Sequence, residues 1–145
     1  VMRLAVTGRL ARRRDEVFAY ISDLRTLPEW SSAVRSVTPR TPARPTAGAR
    51  YVMRRDLPSG PATNELELVA IVPSSALTLR TVDGPTPFTY HYTLDDADDG
   101  GTVLALDAEV ELGRAAALTG PLAAGFVRRG LEANFATLAG VLDVR

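Results

Sequence analysis

The chain has 145 residues, 46% of them apolar, and its seventeen basic and seventeen acidic side chains cancel. That is the length of one domain with material for a real core, and no net field draws it to nucleic acid or to an anionic membrane. All seventeen basic residues are arginine, cysteine is absent and His91 is the single histidine, which excludes lysine Schiff bases, thiolate nucleophiles, disulfides, iron–sulfur ligation and two-histidine metal sites within one chain.

Met2, Leu4, Val6 and Leu10 fall on alternate positions, so residues 1–10 are predicted to form a strand with one buried face. Asp15 and Glu16 then bring negative charge to a helix start, and Val17, Phe18, Tyr20, Ile21 and Leu24 continue at helical spacing. After a break, Pro28 suits the first turn of a second short helix carrying the only tryptophan, Trp30, which is expected to plug the junction between these helices and the sheet. The Arg12-Arg13-Arg14 run is followed by acidic residues, which does not suit a twin-arginine signal. No segment approaches ~20 uninterrupted apolar residues. A cytoplasmic protein without integral membrane association is the expectation.

Six further strands follow. Ala33–Thr38 is short, and Pro39, Pro42 and Pro45 mark an irregular connection toward Gly48. Arg50–Leu57 places Tyr51, Met53 and Arg55 on one face. Thr63–Val72 alternates Glu65 and Glu67 against Leu66 and Leu68. Ala76–Val82 comes next. The following strand puts Phe88, Tyr90, Tyr92 and Leu94 opposite Thr89, His91 and Thr93. Thr102–Leu112 alternates Leu104, Leu106, Ala108, Val110 and Leu112 against Asp107, Glu109 and Glu111. From Leu118 to Leu142 the period becomes helical, with Leu131, Phe135, Leu138 and Leu142 on one stripe that Leu122, Phe126 and Val127 extend toward the N-terminus. Gly113–Gly120 is the joint.

Several motifs invite chemistry and fail on spacing. The acidic run Asp95–Gly101 lacks acidic side chains at the alternating positions of a calcium loop and is read as a hairpin turn. Gly120-Pro121-Leu122-Ala123-Ala124-Gly125 has phosphate-loop glycine spacing but is followed by Phe126-Val127, so a helix start explains it better. By parity His91, Asp107, Glu109 and Glu111 face solvent. Arg128-Arg129 is a solvated helix face, and Arg55 either snorkels at the sheet rim or closes a pocket over an anionic or carbonyl group.

A strand, two short helices, six strands and one long helix make an antiparallel α+β pattern. The Glu16–Trp30 stretch within that order resembles the polyketide cyclase/dehydrase and lipid-transport branch of the START-like (SRPBCC) superfamily, and the resemblance covers nearly the whole chain. It implies a helix-grip fold: a seven-stranded curved antiparallel sheet wrapped around the C-terminal helix as a single domain over residues 1–145, with an apolar cavity between sheet and helix. The ring-hydroxylating oxygenases of the superfamily need several histidines, which this chain lacks.

The resemblance also implies function. The expected role is binding a hydrophobic or amphipathic small molecule, such as a lipid, an isoprenoid or a polyketide-like aromatic. No cofactor or metal is expected, and no nucleic-acid partner; the chain would be a monomer or a homodimer. The candidate ligand-binding residues are Trp30, Tyr51, Met53, Leu68, Leu79, Phe88, Tyr90, Tyr92, Leu104, Leu106, Leu122 and Phe126. The alternative is a polyketide aromatase/cyclase or dehydratase working by templating, with Tyr90, Tyr92 and Arg55 assisting and Arg55 stabilising an enolate.

Overall fold

In the computed structural model, which describes residues 1–40, 44–111 and 120–144, strand β1 (Met2–Leu10) is followed by helices α1 (Arg14–Ile21) and α2 (Leu27–Trp30). Strands β2 (Val34–Pro39), β3 (Arg50–Leu57), β4 (Gly60–Val72), β5 (Ala76–Thr81), β6 (Phe88–Asp96) and β7 (Thr102–Val110) come next, and helix α3 (Gly120–Asp143) ends the chain. The strands form one antiparallel sheet in the order β1-β7-β6-β5-β4-β3-β2. The segment from α1 to α2 therefore carries the chain from one sheet edge, β1, to the other, β2. The curved sheet and the long helix form the helix-grip fold expected from the sequence.

Local chemistry explains the breaks. Asp15 and Glu16 lie in the first turn of α1, where Glu16 pairs with Arg12 and Arg13. The helix stops at Ile21, short of the Leu24 that its periodicity suggests. Asp23 accepts the Arg25 backbone N–H, and Thr26 Oγ1 donates to the carbonyls of Tyr20 and Asp23, turning Leu24–Thr26 into a tight 3-10 turn. Pro28 then sits in the first turn of α2.

The predicted parity holds along the sheet. Tyr51, Met53, Leu66, Leu68, Leu79, Phe88, Tyr92, Leu104 and Leu106 are buried and Tyr90 is half-buried, whereas His91, Asp107, Glu109 and Glu111 are exposed. Leu77 joins the inward face beside Leu79. A register shift between Leu68 and Ala70 falls just past the inward leucines of β4, so their phase survives it. The convex face is stitched by exposed ion pairs, among them Arg3–Glu109, Arg35–Asp56 and Arg40–Glu65, each worth about 0–1 kcal/mol. The Asp95–Gly101 run is a β6–β7 connection in which Asp99 accepts from the Gly101 N–H and pairs with Arg9. Leu112 and the Gly113–Thr119 joint, like Pro42, lie outside the described residues.

Helix α3 grips unevenly. Leu131, Phe135, Leu138 and Leu142 are buried as predicted. A Cβ built on Gly8 would lie 2.7 Å from Cδ2 of Phe135, so the glycine lets that ring lie on β1. Toward its N-terminus the buried stripe runs through Ala123 and half-buried Val127. Leu122 and Phe126, expected on the stripe, are 73% and 53% exposed. The prediction followed the larger side chains. The geometry follows the i, i+4 spacing back from Leu131, which selects Val127 and Ala123 and leaves Leu122 and Phe126 about 100° away around the helix.

Candidate functional site

The concave face carries a continuous row of aromatic rings. Trp30, at the end of α2, meets Tyr92 edge-on at 6.3 Å, and Tyr92 stacks with Phe135 of α3 at 6.5 Å. Alternation along β6 sets Tyr90 beside Tyr92 at 6.3 Å and Phe88 against Tyr90 at 4.1 Å. The row runs from the packed end of the groove toward the end of β6 that pairs with Val110, at the C-terminal end of β7. Arg128 donates to the Ala5 carbonyl, and Ala5 pairs across Asp107 to His91. The N-terminal half of α3 therefore extends past the level of Tyr90, which is where Leu122 and Phe126 are exposed.

The polar atoms of this row are poorly served by the protein. Among the described residues none bonds the hydroxyl of Tyr51, Tyr90 or Tyr92, and the Trp30 indole N–H is buried without an acceptor. A buried tryptophan usually finds a partner for this group, and the Trp30 nitrogen is the fully buried orphan of the row. Burial pushes the Tyr90 hydroxyl up to about 12, opposed by the nearby Arg55 charge. Burial also raises Tyr92 strongly, and Tyr51 more weakly. All three are neutral donors at physiological pH. Tyr90 is half-buried, the least buried ring of the row.

Arg55 lies at the Phe88 end of the row. Its guanidinium lies over the Phe88 ring, 5.3 Å from the centroid. The Nε and Nη2 atoms donate to Asn64 Oδ1 at 3.1 and 2.6 Å, and Nη2 reaches the carbonyls of Pro85 and Thr86 at 2.8 and 3.1 Å. Asn64 in turn donates to the carbonyls of Asp83 and Pro85. Gly84 at φ +91° and Thr86 at φ +50° bend this β5–β6 loop in the left-handed region. Arg55 is therefore not snorkelling at a wet rim: it is buried, and its Nε and Nη2 atoms clamp a loop. Desolvation lowers its pKa from the ordinary arginine value.

Of the residues singled out from the sequence, Trp30, Tyr51, Met53, Leu68, Leu79, Phe88, Tyr92, Leu104 and Leu106 are buried in the core cluster, with Tyr90 packed against it. Leu122 and Phe126 do not join the cluster. Phe135 and Asn64 were not among the candidates. Phe135 was legible as stripe but not as a member of the aromatic row, and Asn64 was legible as a polar side chain at an inward position of β4, opposite Met53. On the convex face His91 Nδ1 lies 2.7 Å from Thr78 Oγ1 and is exposed. Among the described residues no cluster of acidic and histidine side chains could hold a metal ion. A groove of about 640 Å³ lies elsewhere, lined by Arg12, Glu16, Tyr20, Asp23, Glu29 and Leu142. It is open, and its walls are already tied to one another by the Arg12–Glu16 and Tyr20–Glu29 contacts, so it is a weaker candidate than the aromatic row.

The family described as polyketide cyclase / dehydrase and lipid transport matches residues 3–143. The chain belongs to this family. A START superfamily protein from Mycobacterium smegmatis superposes with a TM-score of 0.82 at 14% identity, over 97% of each chain. The ginseng (Panax ginseng) major latex-like protein 151 gives 0.71 at 11% identity, over 96% of this chain and 95% of that one. The di-domain ARO/CYC StfQ from the steffimycin biosynthetic pathway gives 0.70 at 13% identity, over 94% of this chain and 43% of StfQ. At such identities the likeness shows the fold alone. No curated protein matches the chain.

Proposed function

We propose that this family member binds a hydrophobic or amphipathic small molecule on the concave face, at the end of the groove formed by Phe88, Tyr90 and Tyr92. The carrying observation is the row of inward aromatic rings whose hydroxyls bond no described residue. Apolar rings supply non-directional affinity, and the unengaged donors orient a polar end. Trp30, Tyr51, Met53, Leu68, Leu79, Leu104 and Leu106 form the wall behind the row. Phe126 and Leu122 stand at the entrance rather than in the lining.

The cyclase reading is less well supported. Enolisation and water loss need a group to accept a proton, and no carboxylate or histidine is buried among the described residues. A tyrosine pushed up to about 12 is a weak acid and offers no base at neutral pH.

Native mass spectrometry of the purified chain tests the proposal. An apolar adduct of small-molecule mass, lost on organic extraction and regained on re-addition, is the expected result. A bare chain that also binds no apolar probe after extraction overturns it.

A further inference from the structure

Arg55 is the one buried charged side chain among the described residues, at 6% exposure. Most other described arginines sit beside a carboxylate, among them Arg3 with Glu109, Arg14 with Asp96 and Arg80 with Glu67. Arg55 has none. Its four hydrogen bonds all go to neutral acceptors, the Asn64 side chain and the Pro85 and Thr86 carbonyls. They employ Nε and Nη2, and Nη1 has no acceptor among the described residues. A buried cation without a counter-ion is costly, and holding a loop by its carbonyls requires donors but no charge. A neutral amide at this position could serve that purpose. The charge is thus left over after the clamp is accounted for.

We propose that Arg55 is a receptor for the carboxylate of an amphipathic ligand whose apolar body lies along the Phe88–Tyr90–Tyr92 row. The inference rests on the binding role proposed above. The Nη1 hydrogens of Arg55 have no acceptor among the described residues, and they suit the oxygens of a carboxylate. A phosphate monoester carries more charge than a single guanidinium balances, and no second buried cation is present among the described residues. The Phe88 ring between Arg55 and Tyr90 holds both in place, stacked on Tyr90 and covered by the guanidinium.

The test uses the delipidated full chain and three fluorescent probes: cis-parinaric acid, its methyl ester, and neutral N-phenyl-1-naphthylamine. The wild type is expected to bind the acid at least ten-fold more tightly than the ester. Arg55→Met should abolish that preference while leaving the ester and the neutral probe within about two-fold, with folding checked by circular dichroism. Should Arg55→Met not fold, Arg55→Gln, whose amide keeps donors for the loop carbonyls, carries the test, with an expected drop in the acid preference of about three-fold or more. Equal binding of acid and ester by the wild type overturns the carboxylate assignment and leaves the binding role standing. A preference that survives in folded Arg55→Met, or in Arg55→Gln where Arg55→Met fails to fold, also overturns it. Failure of all three probes to bind overturns the binding role itself.

Discussion

The two ends of the groove are built from the same strands and the same helix, yet they solve different problems. At one end Trp30, Tyr92, Phe135, Leu138 and Leu142 close on one another, and Gly8 brings β1 against Phe135. At the other, Tyr90 is half-buried, Phe126 and Leu122 face solvent, and a lone cation sits beneath a loop. The first end is closed by buried side chains, with a shallow groove of about 220 Å³ left on its surface between β1 and α3 beside Gly8 and Phe135. The second keeps exposed apolar side chains and hydrogen-bond donors without a described partner, and it is the end that the proposed binding role uses.

Substitutions should separate the two ends by their cost. Phe135→Ala at the closed end removes a ring that touches Tyr92 and β1, and should destabilise by about 3–5 kcal/mol in urea unfolding. Gly8→Ala should cost about 1–3 kcal/mol, because the added methyl meets the Phe135 ring at 2.7 Å. A loss at Phe135 no larger than that at an exposed site would remove the distinction between the ends.

Alkaline pH acts on the aromatic row. Burial raises Tyr90 to about 12, and raises Tyr51 and Tyr92 as well. In the unfolded chain these groups ionise near 10. The unfolded state therefore binds fewer protons between about pH 10 and 12, and stability falls as pH rises through that window. For Tyr90 alone the loss should reach roughly 2 kcal/mol by pH 12, and Tyr90→Phe should flatten that part of the curve. Tyrosinate absorbance appearing in the folded protein well below pH 10 would contradict the upward shift that burial of these side chains imposes.

The fold was legible because period-2 and helical patterns carry it. A wet face bearing Asp107, Glu109 and Glu111 can point only one way, and that orientation fixed the inward set from Tyr51 to Leu106. The phase of α3 was legible from Leu131 onward and at Val127, and misread at Leu122 and Phe126, since Ala123 occupies a buried position that hydrophobicity alone assigns to Leu122. The Arg55–Asn64 network was not legible. Its acceptors are backbone carbonyls at Asp83, Pro85 and Thr86, about thirty residues along the chain, and no side-chain pattern reports where a carbonyl turns. Arg55 itself drew notice as an arginine at an inward position, but its buried, ion-unpaired state needed the loop.

Smaller effects belong to the open end. Tyr90→Phe removes a hydroxyl with no described partner, so stability near neutral pH should move by less than about 0.5 kcal/mol. Affinity for a ligand with a polar end should weaken by about 0.5–1.5 kcal/mol. Phe126→Ser should leave urea unfolding within about 0.5 kcal/mol of wild type while lowering apolar-probe affinity, which distinguishes an entrance residue from a core residue.

The most direct test of the open mouth is a fluorescence titration with N-phenyl-1-naphthylamine, comparing the wild type with Tyr90→Trp. If the recess at Tyr90 is where ligands enter, the wild type binds the probe saturably, and the larger ring abolishes binding without lowering the melting temperature. Undiminished binding by Tyr90→Trp, or a wild type that takes up no probe, would contradict the account.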